Sequence, residues 1–134
     1  MRVRFSLIAG LSLITAQLAF ASPSGDEVFW ALGFFEGLRI QKQVCEEKYP
    51  EFKDKNETAF LVSPYSQTTG EEIISSMAKD DQKQKLLAYL PKLRTDARER
   101  FLGMKPDILK GMCASYADTI EKFAQNAVAN KKNP

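Results

Sequence analysis

The chain has two cysteines, Cys45 and Cys113, and each falls in phase with an apolar stripe of helical period. Val28, Leu32, Phe35, Leu38 and Cys45 recur near 3.6 residues and predict a helix from about 25 to 48. Leu109, Met112, Cys113, Tyr116, Ile120, Phe123 and Ala127 form the second stripe. Pro106 opens it with Asp107 beside it, both suited to a helix start. A bond between the two cysteines therefore ties the first helix to the last and is buried where they meet.

The N-terminus indicates the compartment in which that bond forms. Arg2 and Arg4 precede an apolar run from Phe5 to Phe20, about sixteen residues. A bilayer span needs roughly 20, so the run fits a cleavable export signal over 1–21, with Ala19 and Ala21 supplying the small residues before the cut. Export to the periplasm or beyond makes a disulfide the expected state of an even cysteine pair. The loop it closes is about 69 residues long. Processing also removes Arg2 and Arg4, leaving seventeen basic against seventeen acidic side chains in a single domain over 22–134. That balance gives no basis for a nucleic-acid or anionic-membrane partner, and no spanning apolar stretch remains.

The middle of the chain is also helical. Ser24 with Glu27, and Thr69 with Glu72, repeat the capping-box spacing. Pro50 suits the first turn of a second helix with Phe52, Asn56, Ala59 and Phe60 on one face, ending near Val62 before Pro64. A third helix opens after Thr69 around Ile73, Ile74 and Met77. The charged run Lys79–Lys83 is either a break or a solvated face. Leu86, Leu90, Leu93, Ala97 and Phe101 continue in helical phase to Gly103, with Pro91 either kinking one helix or starting another. Residues 130–134 read as a frayed polar tail. No segment alternates as a strand does. The expected fold class is all-α: a four- to five-helix bundle with one disulfide joining the first and last helices.

Several chemistries have no residues to run on. The chain contains no histidine, which excludes Ser-His-Asp and Cys-His catalysis and removes the commonest transition-metal ligand. There is no phosphate-cradling glycine loop and no dinucleotide fingerprint, so neither a cofactor nor a metal is expected. Ser76-Met77-Ala78-Lys79 matches the Ser-x-x-Lys pattern, which on a helix sets the lysine one turn from the serine. The partner motifs of that chemistry are missing, and no enzymatic activity is expected. Asn56-Glu57-Thr58 is a glycosylation sequon.

The first helix holds the strongest binding signal. Phe29, Trp30, Phe34 and Phe35 point in several directions around it, more aromatic surface than a small domain readily buries. Glu36 and Arg39 interrupt the apolar run and at their spacing pair on one helix face. Trp30, Phe34, Glu36 and Arg39 are accordingly the candidate partner-binding residues. Gly33 and Gly37, four apart, suit close approach of another helix.

Two resemblances follow from short motifs. The stretch from Cys45 to Phe52, with Asn56-Glu57-Thr58-Ala59-Phe60, resembles small exported helical proteins of Gram-negative bacteria. Gly33-Phe34-Phe35-Glu36-Gly37, Leu86-Leu87-Ala88-Tyr89-Leu90-Pro91 and the late Cys113 resemble periplasmic immunity proteins of the Tai type, which neutralise peptidoglycan-degrading type VI secretion effectors. These likenesses imply an exported protein that works by protein–protein binding, as an immunity or inhibitor protein for a secreted effector. The alternatives are a carrier of small apolar ligands in the cell envelope and, behind it, a histidine-free enzyme.

Overall fold

The computed structural model describes residues 25–63 and 66–132, and within them the chain is all-α. The export signal over 1–21 and Ser24 of the first capping box lie outside those residues. Helix α1 spans Gly25–Lys48, and one 3-10 turn, Pro50–Phe52, leads into α2, Lys53–Val62. Then follow α3, Gly70–Met77, α4, Asp80–Leu102, and α5, Pro106–Lys132.

Local chemistry sets most of these limits. Thr69 accepts from the Glu72 N–H while the Glu72 carboxylate accepts from the Thr69 N–H, so the second capping box is complete. The charged run after Met77 is a break: α3 stops there and α4 starts at Asp80 with two acids in its first turn. Pro91 lies inside α4, which runs through it as one element. The proline ring removes the bond to the Leu87 carbonyl, and both residues are exposed, so water can take that acceptor's place. Helix α4 ends at Gly103, whose φ of −82° is ordinary helical geometry. Helix α5 runs to Lys132, and residues 133–134 of the polar tail lie outside the described residues.

Helix α1 is the axis of the bundle, packing against all four other helices. Its Val28, Ala31 and Leu32 meet Ile73 and Ile74 of α3 and Leu86 and Leu90 of α4. Further along, Ile40, Val44 and Cys45 meet Ala97, Leu109 and Cys113. Leu38 packs with Tyr116 and Ile120 of α5, with Phe34 and Phe60 against them. The disulfide Cys45–Cys113 joins α1 to α5 with both residues fully buried, as the apolar stripes predict. At that end Tyr49 donates to the Pro106 carbonyl (2.9 Å) and Asn56 Nδ2 to the Cys113 carbonyl (3.1 Å). Asn56 is 0% exposed, so the folded chain has no room for a glycan at the sequon. No helix among the described residues is long and apolar enough to cross a membrane.

Candidate functional site

Two concavities run along α1 on different sides. The first is a charged cleft of about 570 Å³ against α3 and α4, with Glu36, Arg39, Glu71, Arg94 and Arg98 in its lining. Glu36 is 1% exposed and fully engaged. Its Oε1 accepts from the Gly70 N–H (2.7 Å) and from Arg94 Nη2 (2.8 Å), and its Oε2 accepts from Arg94 Nε (3.1 Å). Arg94 Nη2 also donates to both oxygens of Glu71. One carboxylate thus holds three elements in place: α1, the start of α3, and α4. The Glu36 bonds hold the Arg94 guanidinium above its ordinary pKa range, and the hydrogen bond from Arg94 holds the Glu71 carboxyl below its own.

This corrects the expected Glu36–Arg39 pair. Arg39 Nη2 donates instead to the carbonyls of Gln67 (2.9 Å) and Thr68 (3.3 Å), tying down the connection ahead of α3. A bidentate guanidinium in a partly buried setting outcompetes a neighbour on the same helix, whose mutual attraction is worth only about 0.2–0.5 kcal/mol. Gly70 is required beside it. A Cβ there would lie 2.5 Å from Glu36 Oε1 and 2.7 Å from Leu90 Cδ2.

The second concavity is an apolar groove of about 650 Å³ over α1, walled by α4 and α5. Those two helices leave the short Gly103–Lys105 turn and stay apart, with α1 as the floor between them. Aromatic rings rim it. Trp30 is 66% exposed and stacks on Phe34 at 5.2 Å with 6° between the planes. Phe34 in turn packs on Phe123 of α5 (4.9 Å). Phe29, 50% exposed, meets Tyr89 of α4 edge-on at 6.0 Å. The floor is Gly33 and Gly37, where an added Cβ would meet nothing within 4 Å. The expected close approach of another helix at these glycines is therefore not made among the described residues.

The four predicted binding residues are accordingly divided. Trp30 and Phe34 line the groove, while Glu36 and Arg39 face the cleft, with Glu36 used up internally. Phe29 belongs to the aromatic cluster that the sequence marks, whereas Gly70, Arg94 and Tyr89 carry no local signal for these sites, because their roles come from neighbours far along the chain. The Ser76–Lys79 pattern does not assemble: α3 ends at Met77, and Ser76 Oγ donates to the Glu72 and Ile73 carbonyls. Among the described residues no group of carboxylates and cysteines is placed to hold a metal. No family model, curated protein or solved structure matches this chain.

Proposed function

We propose that this chain is an exported helical protein that works by binding another protein through the aromatic groove. The observation that carries the reading is the exposure of Trp30. A tryptophan stacked flat on Phe34 and left two-thirds open to water holds apolar area that a monomer normally buries. Trp and Tyr anchor protein interfaces because they offer large, stiff surface at low entropic cost. The buried Cys45–Cys113 bond supports an oxidising compartment. With the resemblances noted above, the finer reading is a periplasmic protein that neutralises a secreted effector.

The test uses the protein as the producing cell matures it, immobilised and exposed to an envelope extract. A specific protein retained by the wild type should be lost with Trp30→Ala, a weakening of about 2 kcal/mol or more. It should stay with Ile108→Ala, a change at an exposed apolar residue outside the groove. Equal retention by the wild type and Trp30→Ala would remove this helix from the interface.

A further inference from the structure

The charged cleft on the other side of α1 has spent its carboxylates and kept a cation. Three guanidiniums and two carboxylates line it. Both carboxylates go to one arginine: Arg94 holds Glu36 through Nε and Nη2, and Glu71 through Nη2. Arg98 is held by Glu47, with the two side chains 40% and 51% exposed. Arg39 differs from both. It is half-buried, and its Nη2 donates only to the neutral carbonyls of Gln67 and Thr68. It takes no carboxylate among the described residues. The Glu71 charge reaches it, but both Glu71 oxygens already accept from Arg94. A cation drawn partly out of water with no counter-charge is a cost that an anion relieves. Arg39 Nε and Nη1 have no hydrogen-bond partner among the described residues, and neither has the side-chain amide of Gln43, one turn further along the same wall.

We propose that this cleft binds a small organic oxyanion, a carboxylate or a phosphate monoester, between Arg39 of α1 and Arg98 of α4, with the Gln43 amide as a further donor. The site is separate from the aromatic groove and does not depend on the partner read there. An oxyanion presents two or more acceptor oxygens, which match the fork of a guanidinium. Arg98 joins at little cost, because an exposed ion pair such as Arg98–Glu47 adds little to stability. Arg94 stays with Glu36, whose one other partner is the Gly70 N–H. The cleft, at about 570 Å³, has room for more than a bare ion. Buried Ile40 gives its wall an apolar surface for the ligand's carbon skeleton. A cationic ligand is refused on the same grounds: each carboxylate in the lining is already taken by an arginine.

Nuclear magnetic resonance of the arginine Nε–H groups in the matured protein tests this, with inorganic phosphate and acetate titrated separately at constant ionic strength. The Arg39 and Arg98 signals should shift and saturate with at least one of the two anions. Saturation by phosphate alone supports a phosphate-bearing ligand, and saturation by acetate alone a carboxylate. Arg39→Gln should weaken the binding by about tenfold or more. Arg39 also ties down the connection ahead of α3, so a second variant keeps the test open if that one fails to fold. Gln43→Glu changes an exposed position and places a carboxylate one helical turn from Arg39, so it should abolish binding by filling the site from within. Arg100→Gln, in the groove and not the cleft, should leave binding unchanged. No saturable shift with either anion overturns the proposal. So do shifts that rise alike on every arginine without saturating, and saturable binding that Gln43→Glu leaves intact.

Discussion

Replacing both cysteines, Cys45→Ala with Cys113→Ala, should lower the unfolding free energy by about 4 kcal/mol, read by urea denaturation with the disulfide-intact protein as reference. The size follows from the loop. The bonded residues are 68 apart in sequence, and the entropy removed from the unfolded chain grows with the logarithm of that length. Domains of this size are stable by only about 5–15 kcal/mol in all, so the variant should sit near its folding threshold at physiological temperature. The remaining ties at that end, Tyr49 to Pro106 and Asn56 to Cys113, are single hydrogen bonds worth about 1 kcal/mol each. They do not replace the bond. A loss below about 1 kcal/mol would mean that packing in the Ile40, Val44 and Leu109 cluster already holds the two helices together without it.

Arg94→Met should cost about 3 kcal/mol, at the low end for breaking a buried ion pair because the guanidinium is itself one-third exposed. The loss comes from what remains: Glu36, 1% exposed, keeps only the Gly70 N–H. In the double variant Glu36→Gln/Arg94→Met no carboxylate is stranded, so it should lose less than the two single changes added together. Gly70→Ala tests the same junction from the other side. Alanine improves intrinsic helix propensity by about 1 kcal/mol, and this glycine has no positive φ to forbid it. The new Cβ nevertheless strikes Glu36 Oε1 and Leu90, an overpacking cost of about 1–3 kcal/mol. The net change should therefore be destabilising. A neutral Gly70→Ala together with a neutral Arg94→Met would show that solvent, not the arginine, satisfies Glu36.

What the sequence could reveal divides along a physical line. Helix positions, the Thr69 cap, the Pro106 start and the in-phase cysteines are written in neighbours within a turn or two, and all of these appear in the fold. Pro91 stayed ambiguous because its effect depends on which carbonyl it strands, and only the fold shows that Leu87 lies on the exposed face. The Glu36 partner was misplaced for a related reason. Arg39 is close in sequence, but Arg94, 58 positions on, is brought to the same point by α4 packing beside α1. The glycine pair is the clearest case. Four-residue spacing states that something approaches closely, and it is silent on whether that something belongs to the same chain. The aromatic cluster behaves similarly: helical phase places Phe29, Trp30, Phe34 and Phe35 around α1, and the packing of α4 and α5 decides which rings remain outside.

Trp30 is the only tryptophan in the chain, so its fluorescence reports on the groove alone. The central claim is that this groove is the working contact surface. Emission from Trp30 should therefore start at the long wavelengths of a solvated indole. It should move to shorter wavelength as the protein retained from the envelope extract covers the ring. Saturable binding of that protein, with the Trp30 emission unchanged from the free monomer, would place the contact elsewhere and contradict the account.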